Sequence, residues 1–423
     1  MQILGPKRLN RALGRNLVDK GGATDLFSSA PLDLRFAQLK TLDPRITFTR
    51  ASTGTYVGDD GLLQSATTNE ARFDHNPTTG ESLGLLVEEA RTNLILQSED
   101  FSNAYWTKTD CTITANESIA PDGTLTADLW SNTGTPGTVN SSNITKDGAV
   151  RTYTASLWVK GTLSPFTVAL DDGTNTNRGR VQYNLSTNAV INVFNDGTIF
   201  TNTSGTLTRF SNGWVRVTVT TTTGTGTTIR LRPFFSGASS TLRIWGAQVE
   251  EGAFATSYIP TTTATVTRAA DVASITGANF SSFYNQTEGT IYARYVERAF
   301  SVTHQVVTFS NGTNNERISF TINSTNTLDV AVISGGTDTF AGNTPTLTAQ
   351  EYQIGFGYKA DDSGVSANGS AITVDSAVTL PTVSQLDVGA RAGSSQILNS
   401  TIKRLTYWPV RLANPTLQSI TAP

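Results

Sequence analysis

Short segments of alternating apolar and polar residues recur through most of this chain, and turn residues separate them. Residues 153–160, 214–220 and 242–245 show the alternation, and the motifs DDG at 171–173 and NDG at 195–197 are typical turn sequences. A period of two indicates strands with one buried face, and short strands at regular spacing are typical of a β-sandwich or jelly roll. The pattern therefore predicts an all-β protein.

The composition agrees with this prediction. Hydrophobic residues make up 37% of the 423 residues and charged residues only 15%, while glycine occurs 36 times. Threonine favours strands, and glycine, asparagine and serine favour turns. The 6 Trp, 11 Tyr and 19 Phe supply core volume, which argues against disorder. Because one core rarely serves a chain of this length, we expect two tandem β-sandwiches.

Several classes of function are disfavoured by charge and residue counts. The net charge of −3 implies no broad attraction to nucleic acid or to an anionic membrane. No stretch approaches the roughly 20 apolar residues of a membrane span, so membrane insertion is not expected. One cysteine and two histidines allow neither an internal disulfide nor the usual zinc site, and we expect no cofactor. The basic N-terminus lacks the apolar centre of a signal peptide, so we expect synthesis in the host cytoplasm.

The stretch LRIWGAQVEEGAFATSYIPTTTATVTRAAD, residues 242–271, divides the chain. It begins as an alternating strand and ends in a threonine-rich segment after a proline, which cannot donate to a strand ladder. We therefore expect these domains: an attachment arm at 1–30, a connecting or oligomerisation segment with short strands at 31–97, and sandwiches at 98–262 and 263–423.

The N-terminal arm differs in character from the rest of the chain. Leucines recur at four-residue spacing with basic residues between them, which suits a short amphipathic helix. The residues concerned are Lys7, Arg8, Leu9, Arg11, Leu13, Arg15 and Leu17. The arm is either an attachment element that orders on a partner or a solvated tail.

Three phrases resemble a recurrent module of tailed-bacteriophage virion proteins. They are LDPRITFTRASTGTYV, NEARFDHNPTTGESLGLLVEEARTNLI and GAQVEEGAFATSYIPT, in this order. The resemblance implies a structural protein of a tail fibre, a spike or the capsid surface, located on the virion and in contact with other phage proteins through the arm. It carries no shared catalytic motif. By analogy with phage fibres, we expect a homotrimer.

Each half of the chain has a further resemblance. The order YTASLWVKG, NGWVRVTVT, RIWGAQVEEG resembles jelly-roll carbohydrate-binding modules. The region GYKADDSGVSANGS, followed by the ending IKRLTYWPVRLANPTLQSIT, resembles laminin-G-like, concanavalin-type domains. These resemblances imply binding of a host cell-surface glycan. The ending also predicts a final strand followed by a helix whose Leu417 and Ile420 pack back on the sandwich.

A search for catalytic residues finds no motif. The Glu-x-Asp-x-Glu arrangement of concanavalin-type glycosidases is missing, as are a Gly-x-Ser-x-Gly elbow and a phosphate-binding loop. Glu88-Glu89 and Glu250-Glu251 are adjacent pairs, whose side chains point to opposite faces of a strand. His75 is best interpreted as part of a turn. We therefore expect no enzymatic activity.

The candidate binding residues lie beside predicted turns. Trp106 and Trp130 could expose aromatic faces for a sugar ring, with Asp171 and Asp172 as polar partners. Calcium is possible at the Asp361-Asp362 turn, because calcium prefers carboxylate oxygens, but Asp-Asp-x-Gly is also an ordinary turn. Trp158, Trp214 and Trp408 lie within alternating segments and are expected in the core.

The favoured reading is a non-enzymatic virion protein that presents lectin-like sandwiches to host glycans. Two alternatives remain open at this point. One is a capsid cement or decoration protein without a ligand. The other is the accessory glycan-binding module of an exported glycosidase, which the absence of catalytic carboxylates and of a signal peptide disfavours.

Overall fold

The computed structural model describes residues 23–298, 302–340, 343–346, 351–391 and 396–423. These residues form antiparallel sheets throughout, which confirms the all-β prediction. The arm residues Lys7, Arg8, Leu9, Arg11, Leu13, Arg15 and Leu17 lie outside the described part of the chain. Within the described residues, no helix has the length and apolar character needed to cross a membrane.

The first sandwich packs two sheets face to face. Neighbouring strands of one sheet are, in order, Thr201–Arg209, Val215–Thr223, Arg151–Lys160, Thr241–Glu251, Ala127–Asn132 and Cys111–Ser118. Those of the other are Ala189–Asp196, Arg178–Asn184, Phe166–Asp171, Thr228–Phe235, Gly137–Asn140 and Thr107–Thr109, and Ile144–Thr145 also pairs with Thr228–Phe235. Alternate residues of both sheets, such as Val181, Tyr183 and Val217, fill the space between them.

The second sandwich is built in the same way from strands near both ends of the chain. One sheet has the order Thr373–Asp375, Ser363–Ala367, Glu351–Lys359, Glu288–Val296, Ser400–Trp408, Ser82–Val87 and Phe73–His75, and Leu32–Leu34 also pairs with Ser400–Trp408. The other has the order Thr47–Thr49, Val272–Thr276, Gln385–Val388, His304–Ser310, Arg317–Ile322, Thr327–Ser334 and Thr337–Asp338, and Asn343–Thr346 also pairs with Thr327–Ser334.

Small elements complete the described structure. Two short antiparallel pairs join Gly54–Val57 to Leu63–Ala66 and Arg91–Asn93 to Val266–Arg268. The helices are Ala23–Ser28, Phe36–Leu39, Gly277–Ser281 and Asn414–Ile420. In the last helix, Leu417 and Ile420 are buried against Tyr292 and Trp408, which confirms their predicted packing.

The segment 31–97 differs from the expected connecting region. Leu32 lies opposite Tyr407, Phe48 opposite Ala273 and Leu85 opposite Ile402, so this segment supplies strands to both sheets of the second sandwich. The physical reason is that the backbone groups of a central strand need partners on both sides. Residues 31–97 are therefore part of the second sandwich and not a separate connecting segment.

The first sandwich is an insertion in the second. Asn93 and Val266 lie opposite each other in a short antiparallel pair, and the strands of the first sandwich lie between them in sequence. Asn93 also binds the first sandwich, because its Nδ2 donates to the carbonyls of Ala247 at 3.1 Å and Ile259 at 2.8 Å. The two sandwiches therefore meet at the place where the chain leaves the second sandwich and later returns to it.

A buried ionic cluster occupies this junction. Arg72 donates to Glu88 at 2.7 Å and to Asp271 at 2.5 Å, Arg268 donates to Glu88 at 2.7 Å, and Arg50 donates to Asp271 at 3.0 Å. These five side chains are at most 6% exposed. Each charge therefore has an opposite charge beside it, as burial in a low-dielectric interior requires.

Candidate functional site

The two tryptophans predicted to bind sugar are core residues. Trp106 is 1% exposed and packs on Phe101 with ring centroids 4.6 Å apart, while Trp130 is 0% exposed and packs on Phe235 at 4.7 Å. Both rings fill volume in the core of the first sandwich, and their Nε1 atoms donate to protein oxygens. The prediction that they are exposed is therefore wrong, because a large apolar ring beside a turn can fold inward to close the sandwich.

The other interior tryptophans agree with their predicted place. Trp158, Trp214 and Trp408 are each at most 2% exposed. Their positions inside alternating segments correctly predicted that they are buried.

Asp171 and Asp172 have different roles. Asp171 is buried, and both of its carboxylate oxygens accept hydrogen bonds from Arg230 at 3.0 Å. Asp172 stabilises the following turn, since its Oδ1 accepts from the Thr174 backbone at 3.0 Å. Asp171 therefore belongs to an arginine-rich surface of its sheet, whereas Asp172 stabilises the loop that follows Asp171.

The predicted calcium position is a turn held by other contacts. Asp361 is exposed with a φ of 59°, and Asp362 forms an ion pair with Arg411 at 3.2 Å. Within the ranges that the structure describes, no group of three or more His, Cys, Asp or Glu residues could hold a metal ion. The turn interpretation of Asp361-Asp362 thus fits the geometry better than the calcium interpretation.

An arginine-rich surface lies on the outer side of the sheet that contains Asp171. The strand Arg178–Asn184 buries Val181 and Tyr183 and turns Arg178 and Arg180 outward. The strand Thr228–Phe235 is arranged likewise, with alternate residues buried. We define the arginine face as the outward residues Arg178, Arg180, Arg230, Arg232, Phe194, Phe234, Asp171 and Asp196.

Register brings these side chains together across the strands. Ala169 lies at the middle of the central strand, opposite Arg180 on one side and Arg232 on the other. Arg178 is opposite Asp196, and Phe194 is opposite Arg180. Because Ala169 has a short side chain, it leaves room between the two guanidinium-bearing strands.

Three of the four arginines on this face are paired. Arg178 and Arg180 both donate from Nε to Asp196 Oδ2 at 2.6 Å, and Arg230 holds Asp171 through two hydrogen bonds. Arg180 also stacks on Phe194, with its guanidinium carbon 3.8 Å from the ring centroid. These contacts fix the planes of the guanidinium groups before any ligand arrives.

Arg232 is the exception on the arginine face. Its Nε and Nη1 are buried and have no hydrogen-bond partner among the described residues, and its guanidinium lies 5.3 Å from the centroid of Phe234. Burial lowers the pKa of Arg232; Asp171 acts in the opposite sense, and repulsion from Arg178 and Arg230 adds to the lowering. A buried donor without an acceptor is costly, so an anion at this position would be stabilising.

Sequence reasoning missed this surface although a signal was present. Arg178 and Arg180 are two residues apart, as are Arg230 and Arg232, so each pair shares one face of its strand. The alternation of apolar residues in the first of these strands begins only at Val181, after its two arginines. The sequence also gives no indication that the two strands flank the same central strand.

Comparisons with known proteins give remote structural similarity. No protein-family model matches the chain, and no curated protein matches it. A carbohydrate-binding module of a Ruminococcus gnavus sialidase, bound to α2,6-sialyllactose, is 13% identical, with a TM-score of 0.29, and covers 34% of this chain and 88% of that one. Domains LG4-5 of mouse laminin α1 are 10% identical with a TM-score of 0.24, covering 65% and 87%.

The Trypanosoma rangeli sialidase in complex with sialic acid is 8% identical, covers 73% of this chain and 62% of that one, and has a TM-score of 0.27. TM-scores this low carry no argument about function. The β-sandwich fold class rests on the strands described above.

Proposed function

We propose that this chain is a non-enzymatic structural protein of a tailed-phage virion that binds an acidic host glycan on its arginine face. The observation that carries the ligand assignment is that the buried Nε and Nη1 atoms of Arg232 have no hydrogen-bond partner among the described residues. The virion assignment rests on the sequence phrases that resemble phage structural proteins. A phage fibre, spike or capsid-surface component would carry such a face outward.

The chemistry of the arginine face suits a sugar with a carboxylate. Planar guanidinium groups bind carboxylates through paired hydrogen bonds, and Arg232 has donors to spare. Phe194 and Phe234 provide apolar surface for the ring of a sugar, and Gln182 and Asn192 add amide groups on the neighbouring strand positions. The site thus combines one charge contact with the apolar and polar contacts of a small-molecule site.

Electrostatics favours an anionic ligand at this place. The arginine face has four guanidinium groups and two carboxylates, whereas the whole chain has a net charge of −3. The arginine face is therefore locally positive, although the chain as a whole is negatively charged. Its attraction for a negatively charged ligand falls as ionic strength rises.

The test compares an acidic ligand with a neutral one. The full chain should bind α2,6-sialyllactose more tightly than lactose in calorimetric titrations. Arg232→Met should weaken sialyllactose binding by about tenfold or more, since a charge-assisted pair is worth about 1.5–3 kcal/mol. Arg243→Met is the matched control, because Arg243 lies in the opposite sheet and pairs with Glu117 at 3.0 Å.

Equal affinity for sialyllactose and lactose would refute the acidic-glycan assignment. Equal loss in Arg232→Met and Arg243→Met would refute the assignment to the arginine face.

The virion role includes the N-terminal arm and a homotrimeric assembly. We propose that residues 1–30 attach the protein to another phage protein, so that the sandwiches face outward. Removing residues 1–30 should leave the sandwiches folded but abolish incorporation into purified particles, as measured by quantitative mass spectrometry. Normal copy number of the truncated protein would contradict the attachment role, and a monomeric mass in solution would contradict the trimer.

A further inference from the structure

A cleft of about 670 Å³ lies between the two sandwiches, away from the arginine face. Thr206, Thr208 and Phe210 line it from the first sandwich, and Glu351 and Lys403 line it from the second. The volume falls within the range of about 300–1,000 Å³ that is usual for small-molecule sites. The segment 76–78 is held against the first sandwich beside the cleft, since the Ser211 backbone donates to the carbonyl of Pro77 at 2.8 Å.

Charges on the second-sandwich side of the cleft are already neutralised. Lys403 Nζ donates to Glu81 at 2.7 Å and to Glu351 at 2.6 Å. Arg298 donates to Asp74 at 2.7 Å. These pairs leave little free charge for a ligand on this wall.

Arg216, on the first-sandwich wall, is differently placed. Its Nη2 donates to Ser156 Oγ at 2.8 Å, and its guanidinium carbon lies 4.5 Å from the Trp158 ring centroid. Its Nε is buried and has no hydrogen-bond partner in the part of the chain that the structure describes. Arg216 forms no ion pair with any described residue, although the more distant carboxylates of Glu250 and Glu88 also act on its charge. An anion in the cleft would pair with it directly.

His75 brings a complementary acceptor to the same cleft. It ends the strand Phe73–His75, which corrects the prediction of a turn, and it is 3% exposed. Its Nδ1 lies 2.9 Å from the carbonyl of Val57, and because a carbonyl only accepts, Nδ1 carries the hydrogen. With the hydrogen on Nδ1, the neutral form of the ring presents a lone pair at Nε2, which has no partner among the described residues.

Trp158 adds a third polar atom of this kind. Its Nε1 is buried and unpaired within the described ranges, and the residue lines the cleft together with Arg216 and His75. Val57, which accepts from His75, belongs to the same apolar cluster as Trp158. Buried polar groups in native proteins nearly always have partners, so three unpaired ones around one cleft point to a ligand that supplies them.

We propose that this cleft is a second binding site, which takes a small hydroxylated carboxylate of the sugar-acid class. The carboxylate accepts from Arg216 and Trp158, and a hydroxyl of the ligand donates to His75 Nε2. The apolar rings of Phe210 and Tyr258 lie along the same cleft and suit the carbon face of a sugar ring. The site is separate from the arginine face and does not depend on it.

The test uses D-galacturonate as the probe and D-galactose as its neutral counterpart. All titrations are made on the full chain with Arg232→Met, so that binding at the arginine face is weakened. Galacturonate should bind and galactose should bind at least tenfold more weakly, because the carboxylate contact is lost. Arg216→Gln should weaken galacturonate binding by about tenfold, whereas Arg209→Gln, an exposed arginine on the neighbouring strand, should not change it.

A second measurement does not depend on the folding of the Arg216 variant. The chain has two histidines, so ¹⁵N-histidine labelling gives separate ring signals for His75 and His304. Galacturonate should shift the Nε2 signal of His75 and leave that of His304, which pairs with Glu297 at 2.9 Å, in place. Absence of binding, equal binding of galactose, or an unchanged His75 signal would overturn the proposal without affecting the arginine-face assignment.

Discussion

At the scale of single residues, the ionic cluster at the junction depends on Glu88. Its carboxylate accepts from Arg72, Arg268 and the backbone and hydroxyl of Ser257. Burial by itself would raise the pKa of Glu88, but Arg268, Arg72 and the Ser257 hydrogen bonds outweigh it and hold the pKa well below its usual value of 4.5. The charged form of Glu88 is therefore the form that the fold needs.

We expect Glu88→Gln to lower the free energy of unfolding by about 3 kcal/mol or more at neutral pH, because it leaves buried guanidinium charge uncompensated. Urea unfolding followed by circular dichroism measures the change. The matched control is Glu89→Gln, whose side chain is 36% exposed and should cost less than about 1 kcal/mol. Equal effects of the two substitutions would contradict the role of the cluster.

The effect of Glu88→Gln on stability should depend on pH. A depressed carboxyl pKa contributes stability above the unfolded value near 4.5, and this contribution is lost as the pH falls toward the folded value. The stability difference between the native chain and Glu88→Gln should therefore shrink steadily below about pH 4.5. A difference that stays constant from pH 7 to pH 3 would be inconsistent with a charged Glu88.

At the scale of elements, the second sandwich is assembled from distant parts of the chain. Leu32, Phe36 and Leu85 share one hydrophobic core with Ile291 and Tyr407. The strand Leu32–Leu34 is further fixed because Arg404 binds Asp33 through two hydrogen bonds of 2.7 Å. Residues beyond 266 therefore contain only part of this sandwich.

We expect a fragment of residues 269–423 to be unfolded or aggregated, because it exposes strand edges and core surface that residues 31–97 cover. The control joins residues 23–93 to 266–423 through a short Gly-Asn turn, which is feasible because Asn93 and Val266 lie opposite each other. Circular dichroism and size-exclusion chromatography distinguish the two proteins. Cooperative melting of the 269–423 fragment would show that the N-terminal strands are dispensable.

At the scale of the whole molecule, the inserted sandwich is tied to its host by buried contacts. The backbone of Leu94 donates to the carbonyl of Val249 at 2.8 Å, and the hydroxyl of Ser257 donates to Glu88 at 2.7 Å. Buried polar contacts therefore form the neck that joins the insertion to the second sandwich, while residues 262–267 of the returning segment are exposed.

We expect the full chain to unfold in a single calorimetric transition. The reason is that unfolding of either sandwich would leave charged groups at the neck without their partners. The joined 23–93/266–423 protein should melt at a lower temperature, since Glu88 loses Ser257 as a partner there. Two well-separated transitions in the full chain would contradict coupling through the neck.

The sequence alone determined the features that depend on local periodicity. Alternation identified the strands, placed Trp158 and Trp214 inside, and separated Glu250, which is buried, from exposed Glu251 on the next position. The helix that buries Leu417 was predicted from the sequence of the chain ending and not from alternation. These features are local because a strand or a short helix fixes which side chains share a face.

Only the tertiary structure decided which strands are neighbours and which face is inward. Leu32 meets Tyr407, Arg50 meets Asp271, and Arg180 and Arg232 flank Ala169. Alternation with a period of two indicates which residues share a face of a strand. It does not indicate which strand lies beside them or whether that face is buried. Trp130 is buried, and Nε and Nη1 of Arg232 have no hydrogen-bond partner in the described part of the chain, because of long-range register. This register is set by packing between segments far apart in the chain.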